Sequence, residues 1–218
     1  MTALVLLVFF AILAFFSSKQ RDSELSPISL KVSEKMSGLW EIAHHGMKEN
    51  RFVRAEKALL TILNIDKKNA AAYNRLGILY AKQKEFKDAI DCFEIASSIE
   101  PSASSLHNLG LIYYETENYE KAATAFEQAL KLDEDMAARH IAFAKVQEKL
   151  GHIGRVINSL ERAVELEPSK ESLSLLYQAY ITAGREDDAK KLERRLNYHQ
   201  EKASPKTKVS RPARRVIV

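Results

Sequence analysis

Few side chains in this sequence stand where chemistry could be done. His44 and His45 are neighbours, but adjacent residues on a helix diverge by about 100° and do not converge on one ion, so they do not predict a metal site. Cys92 is the single cysteine, which rules out an intrachain disulfide and a cysteine-ligated cluster. No motif or cationic pair surrounds it to hold a thiolate, so it reads as a small hydrophobe in a helix. There is no phosphate-binding glycine loop, no H-E-x-x-H and no G-x-S-x-G. Gly151 and Gly184 fall instead at turns between helices, where a left-handed residue closes the first helix. These residues predict no enzyme, no metal and no cofactor.

Charge is placed unevenly. The formal net charge of the 218 residues is +4. Residues 201–218 carry Lys202, Lys206, Lys208, Arg211, Arg214 and Arg215 against Glu201 alone, so this stretch holds +5 and the rest sums to −1. With Pro205 and Pro212 and little apolar content before Val216, residues 200–218 read as a disordered basic tail. Such a cluster suits a reversible contact with anionic lipid through those six cations. Nucleic-acid binding is the rival reading, but the body is near neutral and only Tyr198 lies near the cations, so no stacking platform accompanies them.

At the other end, Thr2 to Phe16 is an uncharged apolar run. Extended through Ser18 it reaches roughly 25 Å, a little under the ~30 Å hydrocarbon core. No Lys or Arg precedes it and no small-x-small site closes it, whereas Lys19, Arg21, Lys31 and Lys35 follow. The expectation is a retained single-pass transmembrane anchor over 1–18, a polar linker over 19–35, and a cytoplasmic body. Export, by cleavage or by the opposite orientation, is the alternative. A buried core helix is not, because nothing downstream needs so uniformly apolar a partner.

The elements between these ends follow from a repeat. "YNRLGILY" at Tyr73–Tyr80 returns as "LHNLGLIYY" at Leu106–Tyr114, with Leu76-Gly77 answered by Leu109-Gly110. Helical periodicity runs from about Ser33 to Gln200, and no alternating β-branched run suggests strands. A period of about 34 lays out five units, near 36–69, 70–102, 103–136, 137–169 and 170–199. A small residue recurs at Ala43, Gly77, Gly110 and Ala144, another at Ala55, Ala89, Ala122 and Ala189. Large apolar residues, Leu59, Phe93, Phe126 and Leu160, fill the middle of the second helix in the first four units. Two antiparallel helices approach closely only where a side chain is nearly absent, and one such hairpin cannot bury its apolar face alone, so hairpins must stack. The pattern resembles the tetratricopeptide repeat over about 36–199. The resemblance implies an all-α, right-handed solenoid of about five hairpins, preceded here by the transmembrane helix. Its last unit departs, with Tyr177 at a small-residue position and Glu186 and Glu193 at bulky ones; its final helix reads as a polar cap.

The resemblance further implies a concave groove lined by the first helix of each unit, binding extended peptides or partner helices. By helical position its candidates are Trp40, His44, Asn74, Arg75, Ile78, Lys82, His107, Asn108, Leu111, Tyr114, Lys145 and Gln178, with Glu41, Met47, Lys48, Ile141, Glu148, Lys149, Ser174 and Ile181 beside them. The first three units mix amide, imidazole and cationic groups with an aromatic edge, which suits peptide backbone plus a carboxylate or two. Trp40 has a second role open to it, as plug of the first unit's free end. Trp40 and His44 stand where the family's chaperone-tail clamp would have Lys and Asn, so that ligand is not predicted. The expected protein is a bacterial, membrane-tethered adaptor that recruits protein partners to envelope-associated complexes. An outward-facing scaffold for surface or cell-wall complexes is the alternative.

Overall fold

A computed structural model describes residues 27–203, with side chains placed for 31–195. Those residues form ten α-helices and no strand: α1 Pro27–Lys48, α2 Phe52–Ile65, α3 Ala70–Gln83, α4 Phe86–Ile99, α5 Ala103–Glu115, α6 Tyr119–Leu132, α7 Ala137–Lys149, α8 Ile153–Leu166, α9 Lys170–Thr182 and α10 Glu186–Ala203. The chain divides into two compact units, 1–79 and 80–218, with the boundary inside α3. The apolar run from Thr2 to Phe16 and the tail beyond Ala203 lie outside the described residues. Among those described, no helix is long and apolar enough to cross a membrane.

In the first unit, α1 and α2 pack through small residues. A Cβ placed on Gly46 would sit 3.0 Å from the Ala55 Cβ and backbone nitrogen, so only glycine lets the two backbones come this close. Ala43, Ala55, Leu59 and Ile62 are fully buried around that contact. The linker expected over 19–35 is helical from Pro27 onward. Proline is tolerated in a first turn, and no glycine or further proline interrupts the chain before Gly38. Residues 31–35 of this extension are exposed, so it is a solvated lead-in rather than part of the packed hairpin.

In the second unit each helix from α4 to α10 packs on the next. Gly110 faces the Phe126 ring, where a Cβ would meet ring carbons at 2.9 Å; the ring is fully buried in the space that glycine leaves. A second link recurs with the repeat. The Tyr113 hydroxyl donates to Glu94 at 2.6 Å and the Tyr180 hydroxyl donates to Glu161 at 2.8 Å, each reaching back to the helix before its own. Burial first, and then these carboxylate partners, push both phenols up to about 12.

The turns inside the hairpins share one geometry. The N–H of Asn118, His152 and Arg185 donates to the carbonyl five residues earlier, at 2.8, 2.9 and 2.8 Å, the helix-closing bond of a Schellman motif. The left-handed residue this requires is Gly151 at φ +75° and Gly184 at +70°, but Asn50, Lys84 and Glu117 at the corresponding turns. The final helix buries Ala189 and Leu192, while Glu186 and Glu193 are exposed. It runs to Ala203, past the end at 199 that the repeat spacing sets.

Candidate functional site

The first-helix positions are held by α1 and α3 in the first unit and by α5, α7 and α9 in the second. Within the first unit the Arg75 guanidinium lies 5.2 Å from the centre of the Trp40 ring, a stacked cation–π contact that leaves both half-buried. Trp40 therefore has a partner on α3, the next first helix. The Asn74 side-chain oxygen is buried without a hydrogen-bond partner. Ile78 is half-buried and His44 exposed. The neighbouring His45, not His44, meets a carboxylate, Glu49 at 3.1 Å.

The second unit brings its candidates together around two cavities. One, of about 350 Å³, is lined by His107, Leu111, Tyr114 and Glu115 of α5, by Ala138, Ile141, Ala142 and Lys145 of α7, by Phe126 below and by Glu171 of α9. The other, about 200 Å³, lies between α7 and α9, with Val156 and Leu160 of α8 among its walls. Leu175 and Ala179 face it from α9, and Lys145, Glu148, Gln178 and Thr182 make the polar part of its lining. Lys145 lines both, and its ammonium pairs with Glu171 at 3.3 Å. Lys82 and Asn108 line neither cavity; Lys82 is exposed and Asn108 half-buried.

The electrostatics of this face are mixed. The His107 ring packs edge-on against Phe126, its centre 5.3 Å away. Burial first, and then the Arg139 charge, hold its imidazole below the ordinary value of 6.5. Its Nδ1 has no hydrogen-bond partner. Arg139 is itself buried at 2% exposure, donating to the Asp133 carbonyl and pairing with the Asp133 carboxylate at 3.0 Å. A hydrogen bond from the Asp135 backbone, with Arg139 beside it, keeps the Asp133 carboxyl below the usual carboxylate range. His140 bonds the Glu134 carbonyl at 2.8 Å. The pair thus anchors the loop from α6 to α7 to the helix that carries Ile141 and Lys145.

Helical register named His107, Leu111, Tyr114, Ile141, Lys145, Glu148 and Gln178. It did not reach Glu115, Glu171, Arg139 or His140, whose roles come from the helix ends and the loop. Nor did it signal that Lys145 would divide two cavities. Burial pushes the Cys92 thiol up to about 11, with Asp88 and Asp91 adding to it, so at neutral pH it is a protonated core side chain. Among the described residues no group of three His, Cys, Asp or Glu could hold a metal ion.

The tetratricopeptide repeat family model matches residues 69–135. No curated protein sequence matches the chain. Solved structures that share its fold include a MamA protein, at 21% identity and TM-score 0.69 over 78% of this chain and 94% of that one. MamA from Desulfovibrio magneticus RS-1, residues 41 to end, gives 13% identity and TM-score 0.70 over 78% and 98%. YrrB, described as a TPR protein with an unusual peptide-binding site, gives 19% identity and TM-score 0.63 over 74% and 84%. Residues 69–135 thus match the tetratricopeptide repeat model, and the described residues share the all-helical fold of these solved structures.

Proposed function

We propose that the protein is a protein-interaction scaffold that takes peptides or partner helices on the face formed by α5, α7 and α9. One observation carries this reading: two cavities on that face share Lys145, each combining apolar walls with a few polar groups. That is the composition of a recognition site rather than of a packing defect. YrrB, similar in fold, is described by its peptide-binding site, which supports the same use here. Tyr114 is the aromatic anchor and Lys145 the cation that meets a ligand carboxylate or carbonyl. The Trp40–Arg75 stack offers a second contact in the other unit.

Peptide-array capture by the full chain tests it. Tyr114→Ala with Lys145→Ala costs about 1 to 3 kcal/mol of binding if these are anchors, with unchanged helical circular dichroism. Unchanged capture by a folded variant rejects the site.

The finer part of the proposal is tethering. The apolar run Thr2–Phe16 with its cationic flank holds the scaffold at a membrane, its body on the cytoplasmic side. The full chain then sediments with membranes and resists carbonate extraction, and a C-terminal reporter is active inside. A soluble full-length product, or a reporter active outside, rejects the tether or its direction.

A further inference from the structure

The second unit has an internal charge division. Its residues 80–203 carry 17 Lys and Arg against 22 Asp and Glu, a net −5, while residues 204–218 carry Lys206, Lys208, Arg211, Arg214 and Arg215 and no acid, a net +5. Three of those acids, Glu115, Glu148 and Glu171, line the two cavities, with Lys145 their one cation. Lys145 pairs with Glu171, and among the described residues Glu115 and Glu148 enter no ion pair. The smaller cavity, about 200 Å³ between α7, α8 and α9, has walls of Ala144, Val156, Leu160, Leu175 and Ala179. An apolar cavity of about 150 Å³ holds benzene, so this one accommodates a branched aliphatic side chain. The sequence that follows the acidic helices reads Arg214-Arg215-Val216-Ile217-Val218: two cations directly beside three branched aliphatic residues.

We infer that residues 204–218 are a ligand of this face, docking in cis with Ile217 in the slot between α7 and α9 and with Arg214 and Arg215 toward Glu148. The inference rests on the reading of the face as a binding surface and names its built-in occupant. Reach permits it. Helices α9 and α10 are joined by three residues, and so short a connection makes them antiparallel neighbours. The 18 residues of α10 are about 27 Å long, whereas the 14 residues from Ala203 to Ile217 extend up to about 46 Å. A tether this short sets an effective concentration on the order of millimolar, so weak contacts keep the tail in place. A partner peptide on the same face must then displace it. The guanidinium groups form forked hydrogen bonds to carboxylates that Lys145 cannot.

A dye-labelled peptide of residues 204–218 tests this on full-length chains. One is the natural chain; the other carries Arg214→Glu, Arg215→Glu and Ile217→Asp, which leave every described residue untouched. The peptide is expected to bind the substituted chain and to bind the natural chain at least tenfold more weakly, because the tethered tail occupies the face. Adding Glu148→Lys to the substituted chain, raising salt, or placing Ile217→Asp in the peptide each weakens binding. Equal binding by the two chains, or none by the substituted chain, overturns the inference. So does binding of the peptide to phosphatidylserine vesicles alone, which assigns the tail to lipid. A substituted chain that still captures array peptides through Tyr114 and Lys145 but not this one overturns the tail as ligand and leaves the scaffold reading standing.

Discussion

Gly110 and His107 show how single residues set this molecule's tolerances. The buried Phe126 ring occupies the volume that a Cβ on Gly110 would need. Gly110→Ala is therefore expected to cost about 1 to 3 kcal/mol, the usual cost of overpacking a well-filled core. Urea denaturation read by circular dichroism measures it. His107 couples stability to pH. Its folded pKa lies below its ordinary 6.5 through burial and Arg139, so the unfolded chain takes up the proton first as pH falls. The neutral ring's contribution is full above pH 6.5 and is lost as pH drops through the lowered folded value. Denaturation curves for natural and His107→Gln chains between about pH 5 and 8 should converge toward the acid end; parallel curves would remove His107 from the linkage.

At the scale of elements, the repeat's turns are alike in hydrogen bonding and unlike in residue. All require a left-handed residue, and only Gly151 and Gly184 supply it without steric strain. Glu117→Gly, between α5 and α6, should stabilise the protein by about 0.5 to 1 kcal/mol, the relief of a non-glycine left-handed residue less the added unfolded-state entropy. Gly151→Ala should destabilise by about 1 kcal/mol through the same term. Opposite signs in thermal melts are the check. Capping gives a second measurable element. The Ser169 side chain accepts from the Ser172 N–H at 3.1 Å while Ser172 Oγ accepts from the Ser169 N–H at 3.0 Å. Breaking this box with Ser169→Ala costs about 1 kcal/mol.

For the whole molecule, the final helix decides whether the second unit's core stays covered. Ala189 and Leu192 close a cluster with Leu173, Leu176 and Tyr180. Leu192, 5% exposed, should cost about 2 to 4 kcal/mol on replacement by alanine. The loss should appear in hydrogen exchange of α9 and α10 before that of α5 and α6, because a stacked repeat contacts only its neighbours.

The all-helical class and the hairpin repeat were legible in sequence because close helix packing imposes a local rule. A nearly absent side chain at Gly110 must answer a bulky one at Phe126, and that demand returns with each hairpin. First-helix register likewise singled out His107, Tyr114 and Lys145 as residues of one face. Tertiary structure alone decided what that face is. The two cavities exist because α5, α7 and α9 come together across long stretches of chain, and register along one helix carries no information about the gap to the next. The acidic lining from Glu115 and Glu171 arises at helix ends, where the repeat specifies no residue type. Arg139 is as hydrophilic as any surface residue in sequence, yet it is buried beside Asp133, because the loop from α6 folds back to satisfy its charge.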